Sequence, residues 1–244
     1  MIAKRVFDFM FALPGLILVS PIILIAALLV LKQDGRSPFY RGLRVGLGGR
    51  DFRMIKLRTM VADGERLGGS STALSDPRLT PIGATLRRFK IDELPQLWNV
   101  LVGDMSLVGP RPNVRRGGVD RHTPEELRLL SVRPGITDLA SIVFWDEGEI
   151  LKDSADPDAL YDWVIRPWKN RLALLLVDNR SFMLDLRLTW LTLLAIVSRA
   201  AALRRVARIV ATLSTDEQLR RIALRNEPLP RGLPPGGAAQ LATR

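Results

Sequence analysis

The feature that most constrains this chain lies near its start: from Phe9 to Leu31 no residue carries a charge. As a straight helix the run would reach about 34 Å, enough for a hydrocarbon core of about 30 Å. A cleaved signal peptide has a shorter apolar core of about 7–15 residues. Two details argue against a plain span. Pro14-Gly15 and Ser20-Pro21 interrupt the run, and a proline inside a helix removes a donor and clashes with the preceding turn. The Ser20 hydroxyl is placed to bond a carbonyl freed in this way. Both flanks are also basic, with Lys4 and Arg5 before the run and Lys32, Arg36, Arg41 and Arg44 after it. The positive-inside rule draws both ends to the cytoplasmic side. A helix that breaks at Ser20 and Pro21 and returns satisfies both observations, although the residues alone leave re-entry and spanning open. Asp8 is expected at headgroup level, paired with Lys4 or Arg5.

The formal charge is +11, from 36 Lys and Arg against 25 Asp and Glu. Such an excess implies an anionic partner: nucleic acid, an anionic membrane face, or phosphorylated substrates. Aromatics are 6% of residues, few platforms for stacking single-stranded nucleic acid. The absence of cysteine excludes disulfides and thiolate chemistry, and a single histidine, His122, excludes a histidine-rich zinc site.

Beyond the apolar run, Phe39 to Met60 reads as a β-hairpin punctuated by Gly42, Gly46, Gly48 and Gly49. Lys56 and Arg58 share one strand face there, as a solvated face or a phosphate clamp. Val61 to Pro81 is Gly-, Ser- and Thr-rich and reads as a mobile loop of the kind that closes over sites. Thr80-Pro81 opens a short helix carrying Arg87 and Arg88, and Glu125 to Val132 is another. Asp146, Glu147 and Glu149 read as a solvated acidic loop. Pro157 to Val177 is a helix interrupted at Pro167, with Trp163 and Trp168 suited to a membrane interface. Leu184 to Leu213 is helical, and Arg199, Arg204, Arg205 and Arg208 make its second half a basic amphipathic helix for an anionic membrane surface. Pro228 to Arg244 is Pro-, Gly- and Ala-rich, the composition of a disordered tail. The fold class is α+β and mainly helical. Residues 1–213 form a single membrane-associated domain with residues 1–33 as its membrane helix, and 214–244 are a partly disordered tail.

Chemistry concentrates in Lys90 to Pro112. Asp92 and Glu93 are adjacent carboxylates, followed by a helical stripe of Leu94, Leu97, Trp98 and Leu101 and then a turn with Arg111 between two prolines. The bland reading is a surface helix with acids in its first turn. As N-cap of that helix, Asp92 would stay ionised, with Pro95 tolerated in the first turn. A carboxylate beside a hard cation and a basic cluster can attack phosphorus and form an acyl phosphate. Magnesium fits the oxygen-rich, thiol-free composition better than zinc.

This stretch resembles the signature of the bacterial sugar transferases, the monotopic polyprenyl-phosphate phosphoglycosyl transferases. Three further blocks are similar in the same order: Lys4 to Phe9, Lys56 to Met60, and Val132 to Thr137; a weaker one lies at Leu184 to Leu186. The resemblance implies an N-terminal re-entrant membrane helix broken at Ser20 and Pro21, with interfacial helices around an active site at the cytosolic face of the bacterial inner membrane. It implies Asp92 as nucleophile toward the β-phosphate of a nucleoside-diphosphate sugar, with a UDP-sugar as the expected donor. A polyprenyl phosphate, undecaprenyl phosphate by expectation, then accepts the sugar phosphate. Glu93 would bind Mg²⁺ with Asp92 or activate the acceptor. Arg87, Arg111 and Pro112 would contact phosphate and nucleotide, and Lys56 and Arg133 would line the pocket; Arg58 joins the substrate-binding candidates through the strand face it shares with Lys56. Asp104 looks like a turn cap. Asp138 to Trp145 departs from the family pattern, which leaves the sugar open.

Two rivals remain at the level of sequence. A non-catalytic membrane-surface scaffold would use the basic helices but has no need of an acid pair beside arginines. A tethered nucleic-acid binder is allowed by charge but lacks aromatics and a reading helix, so no nucleic acid is expected as partner. Interfacial helices permit a homodimer.

Overall fold

The computed structural model describes residues 2–61, 64, 72–73 and 75–237. Most of the expected loop between Val61 and Pro81 and the last seven residues of the tail lie outside them.

The apolar run forms one helix, α1 (Ile2–Asp34), with Pro14 and Pro21 inside it. The expected change of element at Ser20 and Pro21 does not occur. Pro21 cannot donate to the Ile17 carbonyl one turn back, and the Ser20 hydroxyl donates to that oxygen at 2.8 Å instead. Burial divides α1 into three parts. Phe7, Asp8 and Ala12 are buried near its start, Ala26, Ala27 and Val30 near its end, and Leu18, Ile22, Leu24 and Ile25 between them are exposed. Both ends of the helix therefore dock on the same body.

Asp8 is not at a headgroup. It is 2% exposed and accepts from the Ser106 hydroxyl at 2.9 Å and the Leu107 N–H at 3.0 Å. Its expected partners turn elsewhere. Lys4 pairs with Asp185 at 2.5 Å, and Arg5 donates to the Val100 and Leu101 carbonyls. The weak block at Leu184 to Leu186 is thus an anchor for the start of α1.

Strands β1 (Phe39–Val45) and β2 (Asp51–Leu57) form the expected antiparallel hairpin, with Tyr40 opposite Lys56. Thr80 caps α2 (Pro81–Arg88) by accepting from the Gly83 N–H at 2.9 Å. A 3₁₀ turn, Ile91–Glu93, leads into α3 (Gln96–Val102), which ends at Gly103 with φ 98°. A second pair, unforeseen from sequence, joins β3 (Ser106–Val108) in parallel to β4 (Gly135–Thr137). Their backbones meet so closely that a Cβ on Gly135 would lie 2.1 Å from the Gly109 nitrogen. This contact explains why both blocks carry glycine there.

The remaining elements are short or helical. Residues Glu126–Ser131 form a 3₁₀ helix, followed by α4 (Leu139–Val143), α5 (Glu147–Ile150) and α6 (Pro157–Leu160). A π-helical turn, Tyr161–Ile165, passes into α7 (Arg166–Asp178), then come α8 (Phe182–Val197), α9 (Arg199–Leu213) and α10 (Glu217–Leu224). The main core gathers α4, α7, α8, α9 and α10 around Leu139, Ile142, Leu172, Leu188 and Val206.

Three expectations change here. The apolar face of α9, with Ala202, Leu203, Val206 and Val210, is buried in that core, so it has none left for a bilayer. The neighbouring α8 instead exposes Phe182, Met183, Trp190, Leu193 and Ile196. Trp168 is 3% exposed and donates to the Pro230 carbonyl at 2.8 Å, which places it in the core, whereas Trp163 is exposed. The segment after Pro228 is held through Gly237: Gly232 N–H bonds the Trp163 carbonyl at 2.8 Å, Arg171 bonds the Leu233 carbonyl and Thr123 the Pro235 carbonyl.

Candidate active site

Segments far apart in sequence meet at Glu93. Lys56 Nζ donates to Glu93 Oε1 at 3.0 Å, while Arg111 grips both oxygens, Nη2 to Oε1 at 2.5 Å and Nη1 to Oε2 at 3.0 Å. A forked pair of this kind is strong and fixes orientation. Burial alone would push the Glu93 carboxyl up, but Arg111 and Lys56 hold it well below the usual range. Lys56 itself is pushed down by burial, against the pull of Glu93.

Local structure explains how these groups arrive together. Asn99 on α3 fills the outer edge of β2: its Oδ1 accepts from the Ile55 N–H at 2.9 Å and its Nδ2 donates to the Arg53 carbonyl at 2.8 Å. The side-chain amide acts there as a substitute strand, and it holds Lys56 against the turn bearing Glu93. Asp104, expected as a turn cap, accepts from the Asn99 side-chain amide at 3.3 Å. Arg111 is set by its flanks. The Pro110 carbonyl accepts from the Gly135 N–H and the Asn113 carbonyl from the Val45 N–H, both at 2.9 Å. Pro112, buried between them, restricts the turn further.

Asp92 is 3% exposed, and its Oδ1 has no hydrogen-bond partner among the described residues. It is not an N-cap: it lies within the 3₁₀ turn, and α3 starts only at Gln96. Burial pushes its carboxyl up, while Lys56, Arg87 and Lys90 pull it back and Glu93 opposes them. The expected N-cap stabilisation is therefore replaced by three nearby cations. Gln96 Nε2 is likewise buried and unpartnered. Lys90 holds φ 57°, a left-handed conformation unusual for a residue with a side chain. Such strain costs about 1–3 kcal/mol and recurs at functional sites. Its ammonium lies 5.8 Å from the Trp145 ring centre.

Arg87 joins the group from α2, steadied by its Nε on the Thr59 hydroxyl at 3.1 Å. Arg58 does not. The chain leaves β2 at Leu57, and the Arg58 guanidinium forks onto Asp34 at the end of α1, at 2.6 and 2.7 Å. Arg133 also points away: its Nε donates to the Gly103 carbonyl at 2.9 Å, at the far end of α3.

Of the acidic stretch at 146–149, Glu149 is solvated beside Lys152 as expected, but Asp146 and Glu147 turn to partners within the fold. Glu147 pairs with Lys169 at 2.5 Å, and Lys169 lies 5.4 Å from the Tyr161 ring centre. Burial would raise Glu147, but Lys169 and Arg111 lower it, so this pair borders the Arg111 side of the site. Asp138 caps α4 through the Ser141 N–H at 2.6 Å and is pushed up by burial. One sequence signal pointed inward: the uncharged run Leu139 to Trp145 immediately precedes the acids and delivers them to the interior.

For a divalent metal, no group of three or more His, Asp or Glu side chains converges among the described residues. Both Glu93 oxygens are engaged, which leaves Asp92 Oδ1 as the uncommitted hard ligand. Magnesium accepts such a site, since it commonly takes one or two carboxylates and completes its shell with water and substrate phosphates.

Comparison with known proteins gives the group of chains to which this one is similar. A family model described as bacterial sugar transferase matches residues 1–199. A Bacillus subtilis protein named uncharacterized sugar transferase EpsL is 36% identical over 197 residues, 79% of this chain and 86% of its own. The Aeromonas hydrophila UDP-N-acetylgalactosamine-undecaprenyl-phosphate N-acetylgalactosaminephosphotransferase is 40% identical over 142 residues, 57% of this chain and 34% of its own. The Caulobacter vibrioides UDP-glucose:undecaprenyl-phosphate glucose-1-phosphate transferase is 37% identical over 175 residues, 68% of this chain and 65% of its own. The match thus spans less than two thirds of the relatives named here for a transfer reaction. With the family model covering most of its length, the chain belongs to the bacterial sugar transferase family.

Proposed function

We propose that this protein is a phosphoglycosyl transferase that moves a sugar 1-phosphate from a UDP-sugar to undecaprenyl phosphate, at the cytosolic face of a bacterial cytoplasmic membrane, as an early step of exopolysaccharide or related glycan synthesis. The observation that carries this reading is the contrast within the acid pair: Glu93 is clamped by Lys56 and Arg111, while Asp92 is buried with one oxygen free. A carboxylate stripped of water and hydrogen bonds is a better nucleophile than a solvated one.

In the first step Asp92 Oδ1 attacks the β-phosphorus of the donor. The bond from that phosphorus to the oxygen bridging to the α-phosphate breaks, and UMP leaves with that oxygen. In the second, a phosphate oxygen of the lipid acceptor attacks the same phosphorus and the Asp92–phosphorus bond breaks, which restores the carboxylate. Arg87 and Lys56 face the charge that develops on the transferring phosphoryl group, and Arg111 faces the departing nucleotide, the arrangement that electrostatic catalysis requires. Glu93 keeps Lys56 and Arg111 oriented before substrate arrives. Mg²⁺, with Asp92 as its carboxylate ligand and Glu93 beside it committed to Lys56 and Arg111, would supply charge neutralisation of the diphosphate when bound.

Helix α1 supports the membrane placement. Both its ends dock on one body and its exposed middle is apolar, which suits a helix that enters and leaves by the same face. A lipid-linked acceptor cannot leave the bilayer, so the carboxylate has to be held at its surface.

Intact mass spectrometry of the purified protein with Mg²⁺ and a panel of UDP-sugars, without acceptor, tests the reading. An adduct of one sugar phosphate in the wild type, absent from Asp92→Asn, is expected. Full turnover in Asp92→Asn would overturn it.

A further inference from the structure

A second basic feature lies well away from Asp92. The start of α1 meets the start of α8, where Phe7 and Phe182 stack edge to face at 5.3 Å and Lys4 bridges to Asp185. Beneath them is a cleft of about 100 Å³, with Val108, Val132, Leu176 and Val177 among its apolar lining and Lys4, Arg5, Arg133 and Arg180 at its rim. Two acids, Asp8 and Asp185, face these four cations. Asp8 is already spent on Ser106 and Leu107, and Asp185 on Lys4.

Two of the rim cations are held so that their charge stays available. Arg133 is fixed through its Nε to the Gly103 carbonyl and Arg180 through its Nε to the Val177 carbonyl at 3.2 Å. Among the described residues, the terminal guanidinium nitrogens of both have no partner. Nitrogens of this kind form the planar fork that grips phosphate oxygens. The two helices whose residues Lys4, Arg5, Asp8 and Asp185 line the cleft also carry exposed apolar side chains close by in sequence, Met10 and Phe11 on α1 and Phe182 and Met183 on α8.

We infer that this cleft binds the headgroup of an anionic phospholipid, its phosphodiester on Arg133 and Arg180 and the start of its acyl chains on the apolar floor. The inference rests on the membrane placement proposed above. It is separate from the transfer site. Arg5 and Arg133 sit on the carbonyls at the end of α3, whereas Asp92 precedes that helix. Seven residues of α3 separate the two by about 10 Å, so a phosphate in the cleft does not touch Asp92. Charge complementarity together with adjoining apolar faces favours a lipid over a soluble anion, which would gain nothing from the floor.

The test is native mass spectrometry of the full chain released from mixed micelles containing phosphatidylglycerol and phosphatidylcholine, with Arg180→Gln compared against Arg204→Gln on the exposed side of α9. Arg180→Gln is expected to lose phosphatidylglycerol adducts by about fivefold, the effect of one basic side chain at an anionic surface, while Arg204→Gln retains them. Equal loss in both variants would mean diffuse attraction and overturn the cleft assignment. Equal binding of phosphatidylcholine, or displacement of phosphatidylglycerol by inorganic phosphate, would overturn the anionic-lipid assignment. Flotation with vesicles of both lipids separates the two readings. A wild-type chain that fails to float defeats the membrane placement itself, while one that floats, with adducts unchanged in Arg180→Gln, defeats only the cleft.

Discussion

The acid pairs Asp92-Glu93 and Asp146-Glu147 differ in burial and in partners. In the second, both members face cations: Asp146 meets Arg199 at 2.7 Å and Arg225 at 3.3 Å, and Glu147 meets Lys169. In the first, Glu93 takes two cations by direct bonds and Asp92 keeps an oxygen with none. Adjacent acids alone do not make a reactive site. A carboxylate in direct contact with a cation ties helices together, as Asp146 does with Arg199 and Arg225; a buried one without such a contact costs stability in the free protein and is available to react.

The largest effect expected from this comparison is on turnover. Asp92→Asn should lower kcat by about 10⁴-fold or more, the scale for a lost nucleophile, and leave the urea midpoint unchanged or raised, because a poorly compensated charge is removed. A clear loss of stability would mean that Asp92 is a structural partner like Asp146. Glu93→Gln should affect both properties. It leaves the largely buried Lys56 and the partly buried Arg111 without their counter-charge, for a loss of about 3 kcal/mol, and kcat should fall about 10²- to 10³-fold as the cations lose their orientation. A variant with normal stability and low activity would show that Glu93 acts on substrate rather than on its neighbours.

The acid pair and the Pro-Arg-Pro turn stand out in the sequence by type and order and Lys56 by its strand face, whereas Arg87 is singled out only by the family resemblance. Their geometry was not legible there. That Asp92 lies in a 3₁₀ turn rather than at an N-cap depends on the left-handed Lys90, and nothing in its side chain announces that conformation. Strand parity placed Arg58 beside Lys56, but the strand ends at Leu57, and Asp34 on a helix far off in sequence captures the guanidinium. Asp8 was misplaced for the same reason, since its partners Ser106 and Leu107 lie on β3. The pattern of α9 was read correctly as amphipathic, yet amphipathicity does not say whether lipid or α8 and α10 will cover the apolar side.

The second pair should respond in the opposite sense. Glu147→Gln leaves Lys169 without its partner and is expected to cost about 2 kcal/mol, less than a fully enclosed pair, while the sugar-phosphate adduct on Asp92 still forms. Glu147 is held below its ordinary value, so its contribution is present above the unfolded glutamate pKa of about 4.3 and disappears as pH falls through its folded one. Denaturant midpoints of wild type and Glu147→Gln should therefore differ at neutral pH and converge in acid. A gap independent of pH would assign the loss to packing and not to charge.

The smallest effect is expected at Arg58, where sequence and structure disagree most directly. Its partner Asp34 lies at the surface, and exposed pairs of that kind contribute little to stability. Arg58→Ala should therefore shift the midpoint slightly, more at low salt than at high, and leave kcat/KM for the donor unchanged. A rise in donor KM would return Arg58 to the pocket and show that the fork onto Asp34 opens when substrate binds. An unchanged KM would leave Lys56 as the single cation of β2 that serves the site, and parity along a strand would then have to be read only up to the residue at which that strand ends.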